Sequence, residues 1–300
     1  MKLKQACIFG GGGCLGRHLA PRLVAAGYRC HVPTRRPHRQ RDLSLLPGVV
    51  VRPVARFDDT TLTACCEGCE LIVNLVGGDY ETADRHGATV PLLTQHIVAA
   101  ARNVGVTRVL QLSALGAAAD HPDSAVLRAY GAAETIVLST TGLAATCFRP
   151  APLFGRGDAL FTRLAALVDR APGMLPLPYP EARLAPVWVG DVAAALVRAI
   201  YDPETVGRCY DLCGPRVFSW RELVAYTAAC RRRTVWVLGL DARWSARWSR
   251  MLERLPGAPS VFAPPVARDA IGCARRNGLL ELGVHPTDLD VEVPRYLRVA

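Results

Sequence analysis

Glycines stand at 10, 13 and 16 in the run FGGGGCLG of Phe9–Gly16, a GxxGxxG spacing that can hold a phosphate. A pyrophosphate is gripped by bare backbone N–H groups at the positive end of a helix, and a side chain at the turn would push it away. Gly10 suits the tight turn, Gly13 the close approach of the backbone, and Gly16 the packing of helix on strand. Glycines alone serve many turns. Here they follow an apolar strand at 6–9 and precede a helix at about 15–26, a stop at Gly27 and a second strand at 28–32, which is the context of a dinucleotide site.

The second strand runs into Thr34-Arg35-Arg36, where folds of this kind meet the adenosine ribose. An NAD site commonly offers a carboxylate there. Two guanidinium groups suit a 2′-phosphate instead, through charge and bidentate hydrogen bonds, so NADP(H) is favoured over NAD(H). A solvated basic loop is the competing reading, since Arg39 and Arg41 continue the run as far as Asp42.

The elements that must carry these groups alternate along the first half of the chain. Strands are expected at 6–9, 28–32, 49–54, 70–76, 107–112 and 143–148, with helices at 15–26, about 60–67, 88–103 and 125–140. This order predicts an α/β fold, a doubly wound parallel sheet of Rossmann type with right-handed crossovers and a smaller C-terminal lobe. Residues 1–150 form the nucleotide domain in this reading, with a returning strand-helix unit near 184–200. Residues 151–300 form mainly the substrate-side lobe. Ligand then belongs at the C-terminal strand ends, where Gly10–Gly16, Arg35, Asn74–Gly78 and Ser113 fall.

At 300 residues and 50% hydrophobic, the chain can bury a large core. No run reaches the roughly twenty apolar residues of a membrane span. MKLKQACIFG enters a strand without a secretory or transit pattern, so a cytoplasmic protein is expected, with room for contact at the inner face of the membrane. Of the eleven cysteines, Cys7, Cys30, Cys147, Cys209 and Cys213 sit in apolar strand-like segments and read as small hydrophobes. Cys65, Cys66 and Cys69 cluster without a second ligand pair, so no metal is expected. The net charge of +10 permits an acidic partner, but no nucleic-acid-binding motif is present and none is expected.

Together FGGGGCLGRHL at 9–19, NLVGG at 74–78, VLQLSALGA at 109–117, CFRPAPLFGRGD at 147–158 and PVWVGDVAAAL at 186–196 resemble the extended or atypical short-chain dehydrogenase/reductase superfamily. The resemblance is nearest to the branch holding the nucleotide-binding accessory subunit of respiratory complex I and its bacterial relatives, and it covers essentially the whole chain. It implies a cofactor site of Gly10, Gly12, Gly13, Cys14, Leu15, Gly16, Arg35, Arg36, Asn74, Val76, Gly77, Ser113, Tyr130 and Pro150. Catalytic members use a serine and a Tyr-x-x-x-Lys pair, in which the tyrosine moves a proton to a carbonyl oxygen, the lysine lowers its pKa and the serine steadies the oxygen. Ser113 matches the serine. Val126 and Tyr130 stand where the tyrosine and lysine belong. Val126 has no proton, and a tyrosine without a neighbouring ammonium titrates near 10, so ordinary reductase chemistry is in doubt. Ser113 and Tyr130 remain the catalytic candidates, with Tyr80 and His86 as substitute acids. Asp191, ahead of an alanine-rich helix, reads as an N-cap.

The segment Asp241–Leu255 places Trp244, Trp248, Met251, Leu252 and Leu255 on one helical face, with Arg243, Arg247, Arg250 and Arg254 on another. Such a helix packs on a core or lies at an anionic membrane. The whole reads as a nucleotide-binding protein with a degenerate site and a structural, assembly or redox-sensing role near quinone metabolism, in contact with a respiratory complex or membrane. The rival is an active oxidoreductase or epimerase acting on a hydrophobic carbonyl or quinone-like substrate.

Overall fold

Seven parallel strands in the order β11-β6-β5-β4-β1-β2-β3 form the centre of the molecule, seen in a computed structural model that describes residues 4–77, 83–122, 124–240 and 272–297. They are β1 (Lys4–Phe9), β2 (Tyr28–Thr34), β3 (Val49–Pro53), β4 (Leu71–Asn74), β5 (Arg108–Leu112), β6 (Ala144–Pro150) and β11 (Cys209–Leu212). The order steps outward from β1 in both directions, so the crevice at the C-terminal end of β1 and β4 is the switch point of a doubly wound fold. The expected α/β class holds, and the helices α1 (Cys14–Ala25), α3 (Asp59–Cys66), α4 (Ala83–Val104) and α5 (Ala125–Ser139) fall where the sequence pattern puts them.

Strand β1 shows why both faces are covered. Ala6 and Ile8 point into a core shared with Leu15, Leu19 and Leu23 of α1 and with Val192 and Leu196 of α7 (Val189–Tyr201). Cys7 and Phe9 point the other way, against Leu62 of α3 and Ile97 and Ala101 of α4. Period-two alternation in a strand buried on both sides makes every residue apolar, and the burial of Ala6–Phe9 at 1% exposure or less follows from it.

The chain after residue 150 returns to the sheet: β11 pairs in parallel with β6, with Cys209 beside Cys147 and Leu212 beside Pro150. A separate core joins α6 (Leu160–Arg170), α8 (Trp220–Cys230) and the C-terminal helix Leu289–Leu297 through Phe161, Leu164, Trp220, Leu223, Val293 and Leu297. Two short parallel strands, β8 (Met174–Pro178) and β13 (Trp236–Leu240), border it. Helix α8 begins with a reciprocal capping box of Ser219 and Glu222.

Two expectations are corrected. Asp191 does not cap α7, whose N-cap is Trp188 with no side-chain bond. It lies in the first turn, where its carboxylate accepts the Thr287 N–H at 2.6 Å and the Thr287 hydroxyl at 3.1 Å, because burial there leaves it only a partner brought from far along the chain. Cys213 is not a free small hydrophobe: it forms a disulfide with Cys273, with Cα atoms 6.2 Å apart. Tyr80 and the segment Asp241–Leu255 lie outside the described residues, as does the side chain of His86.

Candidate functional site

The glycine loop joins β1 to α1. Gly10 adopts φ +72°, and a Cβ there would lie 2.8 Å from the carbonyl group of Leu75 on the neighbouring loop. Only glycine fits. At Gly16 a Cβ would reach within 2.5 Å of the Gly11 Cα, so the absence of a side chain is what lets α1 start flat against its own loop. Gly13 is the N-cap, contributes no side-chain bond, and its own N–H closes on the Gly10 carbonyl at 3.0 Å. Cys14, Leu15 and Gly16 are the first residues of α1, and their N–H groups lie ahead of any carbonyl the helix can offer. No acidic residue occupies that turn, and burial, with Asp158 nearby, pushes the Cys14 thiol up to about 12, so it adds no negative charge either. The helix start therefore presents backbone donors, and no acidic residue of its own, to an anion.

Arg17 is a member of this site that the spacing argument passed over, although it directly follows Gly16. Its Nε donates to the Gly12 carbonyl at 3.1 Å, and its guanidinium reaches the Arg39 carbonyl at 3.2 Å, Gln40 Oε1 at 3.0 Å and the Asp42 carboxylate. One side chain thus ties the glycine loop to the arginine-rich segment after β2. Arg35 lies over the Phe57 ring, 5.5 Å from its centroid, and the Arg36 N–H donates to Thr34 Oγ1 at 3.1 Å. Both are exposed at the end of β2, and no carboxylate pairs with either among the described residues.

Across the crevice, Asn74 is 1% exposed and fixes the β4 end. Its amide nitrogen donates to Gln111 Oε1 at 2.9 Å, and its oxygen accepts the Val76 N–H at 3.1 Å, which shapes the Val76–Gly77 turn facing Gly10. The Tyr130 hydroxyl, from α5, donates to the Gly77 carbonyl. Tyr130 is 2% exposed among Val90, Ala114, Ala129 and Ala133, with Val126 packed beside it. Ser113 directly follows β5, its N–H bonded to the Phe148 carbonyl at 2.7 Å, while its buried Oγ has no partner among the described residues. Pro150 ends β6 and its carbonyl accepts the Leu115 N–H at 3.1 Å. The candidate residues from β1, β2, β4, β5 and β6 thus line one end of the sheet.

A dinucleotide fits this arrangement on two counts: the cradle has no room for side chains at Gly10 and Gly16, and Ser113 offers a buried hydroxyl at the same strand ends with no partner among the described residues. A shallow cleft of about 390 Å³ lined by Asp169, Arg231, Arg232 and Arg233 lies elsewhere, between α6 and α8. Asp169 already takes the Arg231 guanidinium at 2.5 Å.

Fold and site together define a nicotinamide-dinucleotide-binding Rossmann protein. The chain belongs to a family described as NAD(P)H-binding, which matches residues 10–174. It is 34% identical over 226 residues to "NADH dehydrogenase [ubiquinone] 1 alpha subcomplex subunit 9, mitochondrial" of Arabidopsis thaliana, a match covering 73% of this chain and 56% of that protein. The match to the protein of the same name from Rattus norvegicus is 27% identical and covers 98% of this chain and 79% of the other. The chain spans less than two thirds of the Arabidopsis relative. Among solved structures, the NADPH-dependent quinone oxidoreductase QOR2 of Escherichia coli, complexed with NADPH, superposes with a TM-score of 0.72 at 19% identity, over 95% of this chain and 96% of the other. DesIV, a dTDP-glucose 4,6-dehydratase from Streptomyces venezuelae with NAD bound, gives 0.72 at 18% identity over 98% and 95%. At those identities the likeness is one of fold. No helix among the described residues is long and apolar enough to cross a membrane.

Proposed function

We propose that this protein holds NADP(H) in preference to NAD(H) as a retained group and serves a structural, assembly or redox-sensing role near NADH:ubiquinone metabolism, at or beside the inner face of a membrane. The observation that carries the reading is the proton-transfer position. Val126 has nothing to donate, and the Tyr130 hydroxyl, where a lysine would be, is spent on the Gly77 carbonyl and so braces the cofactor crevice. Bound nicotinamide supplies hydride chemistry, but a reductase also needs an acid within hydrogen-bond reach of the substrate oxygen. Similarity to the complex I accessory subunits supports the setting. Arg35 and Arg36, exposed and without carboxylates among the described residues, support the 2′-phosphate.

The test is mass spectrometry of nucleotide released after native purification, with turnover assays on the same sample. Retained NADPH that simple carbonyls and quinones do not consume is the expected result. An empty site that turns over added NAD(P)H would sink the retained-group reading. Replacing Arg35 and Arg36 together by alanine should weaken NADPH at least tenfold more than NADH, and equal losses would remove the NADP preference.

One observation favours a second reading, an oxidoreductase acting on a hydrophobic carbonyl or quinone-like molecule. The unpartnered Ser113 hydroxyl is the group such a substrate oxygen would need. Ser113→Ala would then abolish turnover, whereas under the first reading wild type and variant alike leave carbonyls and quinones unreduced.

A further inference from the structure

We propose that Arg156 grips the pyrophosphate of the dinucleotide from the far half of the chain, with Tyr296 acting through Asp158 as its positioning residue. The inference rests on the nucleotide reading above and concerns a group both nicotinamide cofactors share. Residues Gly155-Arg156-Gly157-Asp158 form a turn just after β7 (Leu153–Phe154), closed by the Asp158 N–H on the Gly155 carbonyl at 2.9 Å.

The Asp158 carboxylate is 4% exposed and takes four donors: the N–H groups of Gly155 at 2.9 Å, Phe161 at 2.8 Å and Thr162 at 3.2 Å, and the Tyr296 hydroxyl at 2.5 Å. Tyr296 also receives the Gly155 N–H at 3.2 Å, so the C-terminal helix, α6 and the turn are joined at one point. A carboxylate so saturated leaves no lone pair for Arg156.

The turn sits on the glycine loop. Cys14 Sγ donates weakly to the Arg156 carbonyl at 3.7 Å, and His18, one turn further along α1, is close enough for the Arg156 backbone to act on its imidazole. Arg156 therefore stands beside the first residue of α1, on an exposed apex, with no carboxylate partner among the described residues. By contrast Arg17, Arg149, Arg216 and Arg231 are all ion-paired. A rigid turn that sets the Arg156 backbone against the first residue of α1 leaves an exposed arginine, without a carboxylate partner among the described residues, within reach of a helix start that has no acidic residue in its own first turn, and so offers the countercharge a phosphate there would take.

The experiment measures binding of NADPH, NADH, ADP and 2′-AMP by calorimetry to the full chain stripped of nucleotide, for wild type, Arg156→Gln, Arg156→Lys and Tyr296→Phe. Arg156→Gln should weaken NADPH, NADH and ADP by about tenfold while leaving 2′-AMP within twofold and the NADPH-to-NADH ratio unchanged. Arg156→Lys should recover part of the loss, and Tyr296→Phe should show the same pattern at about threefold. Unchanged ADP binding by Arg156→Gln would overturn the proposal, as would a loss on 2′-AMP equal to that on ADP, which marks a general disturbance. A wild-type chain that binds none of the four would overturn the nucleotide reading itself.

Discussion

His31 illustrates how a single buried side chain sets a working range. It lies in β2 at 4% exposure, with Nε2 2.8 Å from Gln5 Oε1 and Nδ1 without a partner among the described residues. Burial, reinforced by Arg52 and Arg29, pulls its pKa from 6.5 down to about 4. The folded value is the lower one, so the unfolded chain binds the extra proton between the two and stability rises with pH there. Stability is thus fully present above about pH 6.5 and lost progressively towards pH 4, by up to about 3 kcal/mol. Urea midpoints at pH 7.5, 5.5 and 4.5 should fall for wild type and fall less for His31→Gln. Parallel curves for the two proteins would show that another group carries the acid sensitivity. The sequence flagged neither His31 nor Arg17, because nothing in their spacing shows which side chains a parallel sheet or a glycine loop will enclose.

At the scale of elements, the first turn of α7 is a latch. Asp191 holds Thr287 by backbone and hydroxyl, 96 residues away in sequence, and so pins the chain leading into the C-terminal helix. Hydrogen bonds to a charged acceptor contribute about 2 kcal/mol when buried, so Asp191→Ala should lower the unfolding free energy from urea titration by that order and hasten cleavage after residue 285 in limited proteolysis. Intact protection of that segment would show that the Leu289–Leu297 packing suffices alone. A second such tie, the bidentate Arg149–Glu134 pair at 2.7 and 2.6 Å, joins β6 to α5. The elements themselves were legible from apolar period and glycine stops. Their long-range ties were not, since an aspartate before an alanine-rich run reads equally well as a cap.

For the whole molecule, the Cys213–Cys273 bond closes a separation of 60 residues between the end of β11 and the segment before the short helix Gly278–Glu281. Chain-entropy reasoning gives about 4 kcal/mol for a loop of that length. Cys273→Ser, or reduction of the wild type, should lower the melting temperature by several degrees, and thiol titration of denatured protein should count nine free groups before reductant and eleven after. Eleven from the start would show that the bond does not form in the protein as made. The sheet carries a parallel lesson. Cys209–Leu212 is apolar enough to be a strand, but its place as the seventh, beside β6, depends on α7 crossing the sheet face next to α1.

The sequence by itself determined the glycine cradle, the alternation that builds a doubly wound sheet, the family and the missing Tyr-x-x-x-Lys pair, because these are local properties of residue type and spacing. Only the tertiary structure decided that Tyr130 braces Gly77, that Asp191 and Asp158 anchor the C-terminal segment, that Cys213 is paired, and that Arg156 comes to the start of α1. Each of those joins residues remote along the chain, and a buried polar group takes whatever partner the packing of distant elements brings within about 3 Å.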